Sequence, residues 1–136
     1  MVRHLEAEQQ KYPEECQEPI HVIGYSNGSN VIYHAMTTYD AKFNNVLLLG
    51  ASLDADVDFS AMIQNSDEFH VFWSEKDSSA TWIVDGIGYQ GLSEEWRDRE
   101  GVFNQHVPDV WHSIHQGTTA GFEYHTEVAE AKSDEK

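Results

Sequence analysis

The 136-residue chain has little of three things that commonly classify a protein. It has one cysteine, Cys16, so no disulfide can close within it, and a disulfide-stapled secreted scaffold is excluded. Cys16 lies in a polar stretch with no basic pocket to activate a thiol, so it reads as a small, partly buried residue. Basic residues are also scarce: 8 Lys plus Arg stand against 24 Asp plus Glu, a net charge of −16. No basic stripe exists to neutralise phosphates, which excludes nucleic-acid binding and disfavours anionic membrane surfaces. Long apolar runs are missing as well, and none approaches the roughly 20 residues of a membrane span. The opening "MVRHLEAEQQ" is polar and lacks the apolar centre of a signal peptide, so a soluble, cytoplasmic protein is expected.

What is present is enough to fold. Apolar residues make up 40% of the chain, with Trp and Tyr plentiful, which places it among globular rather than disordered sequences. The length fits one domain with a modest core, residues 1–131, followed by the solvated tail 132–136. No internal repeat, low-complexity block or domain boundary interrupts it. At −16 the folded chain repels itself at low salt. A high-salt organism as the source accounts for this, because molar salt screens the repulsion.

Strand-like and helix-like segments alternate. Residues 3–11 read as an exposed helix stopped before Pro13. A strand at 20–25 and a helix at 28–39 follow. "NNVLLLG", 44–50, is a continuous apolar run of strand length, 59–66 reads as a short helix, and 68–74 as another buried strand. Residues 78–100 are mixed, with a charged helix-like patch, "SEEWRDRE". "GVFNQHVP", 101–108, is the last strand, and 113–131 reads as loop plus closing helix. Strands separated by helical segments predict an α/β fold: a three-layer sandwich around a mainly parallel sheet of about four strands.

One short stretch carries chemistry. "HVIGYSNGSN", 21–30, contains Gly-x-Ser-x-Gly: Gly24, Tyr25, Ser26, Asn27 and Gly28. Ile20, Val22 and Ile23 precede it as a buried strand, and Val31, Ile32, Ala35 and Met36 recur behind it at helical spacing. A serine between strand and helix is the context of a nucleophile elbow. There, Gly24 and Gly28 would let the strand and helix backbones approach closely, and Ser26 would be held strained with its hydroxyl exposed. The plain alternative is a strand–turn–helix whose serine and asparagine cap the helix.

Four stretches, "PIHVIGYSNGSNVIYHAM", "NVLLLGASLDADVDF", "HVFWSEKDSS" and "VFNQHVPDVWHS", together resemble the C-terminal half of an α/β-hydrolase of the serine esterase or lipase-like kind. The resemblance covers roughly residues 17–130. It implies a truncated α/β-hydrolase fold and a triad in the chain order nucleophile, acid, histidine, each just beyond the end of a strand. Asp77, in "SEKDSS", is the acid so implied; Asp54 and Asp56 are runners-up, Glu75 is less favoured, and an Asx-turn with Ser79 is the plain alternative for Asp77. His112 is the implied base, with His115 competing three residues on. His106 lies inside a strand and reads as structural, and His21, His34 and His70 read as packing or surface residues. The Asn27 backbone N–H would form half of an oxyanion hole. No histidine pair shows a metal spacing with supporting carboxylates, and no cofactor is implied.

The sequence departs from the family pattern upstream. Complete members carry about four further strands and a loop that supplies the second oxyanion donor, whereas about nineteen residues precede strand 20–25 here. That loop is therefore expected to be absent, and the strand "HVIGY" to present an open apolar edge that a partner protein or a second copy covers. Two functional classes follow: a serine esterase acting on an ester-type small molecule or lipid, or a non-catalytic interaction module on the same scaffold. Trp73, Trp82, Ile83, Ile87 and Trp111 could line an acyl groove but read better as core.

Overall fold

The computed structural model describes residues 2–11, 19–77 and 86–107. Four strands, β1 (His21–Tyr25), β2 (Phe43–Leu49), β3 (Ser66–Trp73) and β4 (Val102–His106), form one sheet in the order β1-β2-β3-β4, with every neighbouring pair parallel. The described helices are α1 (Val2–Gln9), α2 (Gly28–Tyr39), α3 (Ser60–Gln64), α4 (Ile87–Gln90) and α5 (Glu94–Arg97). Parallel neighbours need a return path along the sheet, and the segments carrying α2, α3 and α4 with α5 supply it. This is the α/β architecture that the alternation of segments predicts. No described helix is long and apolar enough to cross a membrane.

β2 explains why one stretch of the sequence is continuously apolar. Val46 and Leu48 enter the main core with Ile32, Ala35 and Met36 of α2, Phe59, Met62 of α3, and Phe69 and Val71 of β3. Leu47 and Leu49 point to the other face, where they cluster with Phe72 and Val107. A strand buried on both faces cannot alternate apolar with polar residues. The centre of the main core is aromatic: the Phe59 ring stands 6.0 Å from Trp96 and 6.4 Å from Tyr33, both edge-on. The described helices that enter this core, α2 to α5, share one face of the sheet. Residues 113–131, where a closing helix is expected, lie outside the described residues.

Several boundaries differ from expectation. α3 is only five residues long, and β3 starts at Ser66 rather than 68 because Ser66 pairs with Phe43 at the start of β2. The mixed segment resolves at its C-terminal end into α4 and α5, each four residues long and too short to show a helical period. α2 ends where Asp40 enters the left-handed region, at φ 52°, and its N–H bonds to the Ala35 carbonyl.

β1 is an edge strand, bonded to β2 alone among the described residues. Ile23 on this strand is 53% exposed. The serine-bearing turn therefore sits at one corner of the sheet, on the rim formed by the C-terminal ends of the strands.

Candidate active site

Ser26 follows β1 directly, and its backbone is in the left-handed region at φ 49°. For an L-residue with a Cβ that conformation costs about 1–2 kcal/mol. The chain is held there from both sides. The Ser26 N–H donates to the Leu49 carbonyl at 3.0 Å, and the Ser26 carbonyl accepts the Ser29 N–H at 3.1 Å as α2 begins. Strand thus becomes helix within two residues. Ser26 is half-buried, and its hydroxyl has no hydrogen-bond partner among the described residues.

Gly24 permits this turn. A Cβ there would stand 2.8 Å from Ile32 Cδ1, 3.1 Å from Leu48 Cδ2 and 3.1 Å from the Ser29 Cα, so α2 lies against β1 only because position 24 is bare. Gly28 does not share this role: a Cβ on it would meet nothing within 4 Å, because the first residue of α2 faces open space. Side-chain capping is not what orders the turn either. Asn27, at the N-cap of α2, makes no side-chain cap bond; its Oδ1 accepts from Asn30 Nδ2 at 3.2 Å.

A polar network fixes the turn to β2. The hydroxyl of Ser29, fully buried, donates to the Ser26 carbonyl at 2.6 Å. The Ser52 N–H donates to Ser29 Oγ at 3.1 Å and reaches the Ser26 carbonyl at 3.4 Å. Asn30 Nδ2 donates to Ser52 Oγ at 2.8 Å and to the Ser52 carbonyl at 3.1 Å. Sequence reasoning missed Ser29, Asn30 and Ser52. The available signal was weak: small polar residues directly after Gly28, and a serine two residues beyond the apolar run 44–50.

Of the four acid candidates, Asp77 alone is buried, at 1% exposure; Asp54, Asp56 and Glu75 are exposed. Asp77 closes a turn immediately after β3, its N–H donating to the Ser74 carbonyl at 3.0 Å, while the Ser74 N–H is held by the Gly88 carbonyl at 3.0 Å. Because the strands are parallel, Ser26 and Asp77 lie on the same rim, beyond β1 and β3. One strand, β2, separates them, which sets the two strand axes about 10 Å apart. His112 and His115 lie outside the described residues.

His106 lies in a strand as its position implies, but at the strand's end and exposed rather than enclosed. It ends β4 on the same rim, with its ring 4.4 Å from Trp73 and its Nε2 hydrogen-bonded to the Glu75 carboxylate. That bond is the main reason the Glu75 carboxyl lies below its ordinary value. His70 does serve packing: it is buried, stacks on Phe103 at 4.5 Å and bonds Glu68 through Nε2 at 2.9 Å. Ile87 is core and Trp73 half-buried, whereas Trp82, Ile83, Trp111 and Cys16 lie outside the described residues. Among the described residues no three His, Cys, Asp or Glu side chains converge as a metal site requires.

No protein-family model, curated protein or solved structure matches the chain.

Proposed function

We propose that the chain is a serine hydrolase acting on carboxylic esters, with Ser26 as nucleophile, His112 as general base and acid, and Asp77 as the carboxylate that orients the imidazole. The observation that carries the reading is the backbone of Ser26: a serine at φ 49°, just past a parallel strand and just before a helix. Strain of this kind persists where the surrounding structure over-determines it, and it gathers at functional sites. A buried Asp77 on the same rim adds to it.

In this reading His112 takes the Ser26 proton as Oγ attacks the ester carbonyl. The carbonyl oxygen becomes an oxyanion facing the Asn27 N–H, at the positive end of α2. Collapse expels the alcohol, which takes the proton back from His112. Water, deprotonated by the same imidazole, attacks the acyl-serine, and the acid leaves with Ser26 regenerated. Asp77 orients the imidazole and stabilises the imidazolium. The substrate is an ester-type small molecule or lipid, and the setting the cytoplasm of a high-salt organism.

Hydrolysis of p-nitrophenyl butyrate in molar salt tests the reading. Wild type is expected to turn over, Ser26→Ala and His112→Ala to fall to background, and Asp77→Asn to fall by up to about 10⁴. Wild-type rates no higher than those of Ser26→Ala would contradict it.

A second reading rests on a specific feature, the edge position of β1 with Ile23 53% exposed. An unpaired strand edge is a template for another chain. Here the scaffold is a non-catalytic subunit, and a partner or a second copy covers β1. Light scattering that finds a dimer, together with no esterase activity, would favour this reading over the first.

A further inference from the structure

The Ser26 carbonyl and the Asn27 N–H belong to one peptide group, and across a trans peptide they point in opposite directions. Whatever holds the carbonyl therefore aims the N–H. The carbonyl is held by the Ser29 N–H at 3.1 Å, the Ser29 hydroxyl at 2.6 Å and, more distantly, the Ser52 N–H at 3.4 Å. The Ser29 hydroxyl is itself an acceptor, taking the Ser52 N–H at 3.1 Å. These groups form a chain running one way: Ser52 N–H to Ser29 Oγ, Ser29 O–H to Ser26 carbonyl, and the same peptide outward through the Asn27 N–H. Asn27 is exposed, and its N–H has no acceptor among the described residues.

Each hydrogen bond in such a chain polarises the next, so the last donor is stronger than a lone amide. We infer that Ser29 is a positioning residue, whose hydroxyl relays hydrogen bonding from the backbone after β2 to aim and polarise the Asn27 N–H as an oxyanion donor. The inference rests on the serine hydrolase reading and deepens it. Burial makes the device firm: Ser29 is fully enclosed, so water does not compete for its hydroxyl. Asn30 steadies the source of the relay, because its Nδ2 holds both the hydroxyl and the carbonyl of Ser52.

The test uses the full chain and two variants, Ser29→Ala and Ser29→Cys. The second keeps a hydrogen on the γ atom but offers only a weak donor. One readout is the rate of Ser26 phosphonylation by an alkyl fluorophosphonate, split into reversible binding and the chemical step. The other is the amide proton shift of Asn27 by NMR, whose direction reports how strongly that N–H is polarised. The expected result is a chemical step about tenfold slower, the size of one hydrogen bond, with binding of the probe unchanged. The Asn27 amide proton is expected to move to lower frequency in both variants. Wild-type phosphonylation rates with an unmoved Asn27 amide would overturn the inference. Should one variant fail to fold, the other decides by the same two readouts. Should wild type itself resist the probe, the hydrolase reading fails, and an unmoved Asn27 amide would still separately overturn the relay.

Discussion

Replacing Ser26 by glycine should make the protein more stable while removing its nucleophile. The backbone at position 26 has φ 49°, a conformation that costs a residue with a Cβ about 1–2 kcal/mol and costs glycine almost nothing. Glycine gives back about 0.5–1 kcal/mol through the greater freedom of its unfolded chain. Ser26→Ala is the reference, since it also lacks the hydroxyl but keeps the Cβ and so the strain. Ser26→Gly is therefore expected to exceed Ser26→Ala by roughly 0.5–1 kcal/mol, or about 2–4 °C in Tm for a chain of this size. Urea unfolding at fixed molar salt measures it, with equal m-values showing that both variants expose the same surface. A glycine variant no more stable than the alanine variant would refute the reasoning, because position 26 would then hold no strain for function to use.

Three further outcomes follow from the same structure. Gly24→Ala should destabilise by about 1–3 kcal/mol and depress esterase activity further than stability alone explains, since the added Cβ presses on the Ser29 backbone as well as on two mobile side chains; urea unfolding and p-nitrophenyl butyrate turnover check both halves. Asp58, bonded by the Ser60 hydroxyl and N–H, and Glu75, bonded by His106, both have carboxyls lowered from their ordinary values. A depressed folded value means that their contribution is complete at neutral pH and is lost as pH falls past the ordinary carboxylate values and through the lowered folded ones, so Asp58→Asn combined with Glu75→Gln should flatten the acid limb of the stability curve. With a net charge of −16, stability should rise from dilute buffer to molar potassium chloride, and a Tm that is highest in dilute buffer would contradict the proposed high-salt origin.

The parts of the fold that were legible in the sequence are those where burial writes a continuous signal. Phe43–Leu49 is sandwiched on both faces, so its apolar run needs no periodicity to be recognised, and its parallel pairing follows from the helical segments on either side. The strand–turn–helix around Ser26 was legible because Gly24 is forced by the packing of α2 against β1, leaving a local pattern. Contacts made far along the chain leave no such pattern. Asn30 meets Ser52 across 22 positions, and His106 meets Glu75 across 31, so neither pair can be read before the sheet has brought the strand ends together. Gly28 misled because it completes the motif while facing open space. The ends of α3 and β3 were misplaced because a five-residue helix leads into a strand after a single residue, Asn65, with no glycine or proline to mark the change.

The central claim, that Ser26 is an activated nucleophile, is tested most directly by the intact mass of the folded chain after exposure to an alkyl fluorophosphonate in molar salt. One adduct per chain is expected, mapped to Ser26 by peptide sequencing and missing from both Ser26→Ala and His112→Ala. No adduct on the wild-type protein, or an adduct that survives in Ser26→Ala, would contradict it.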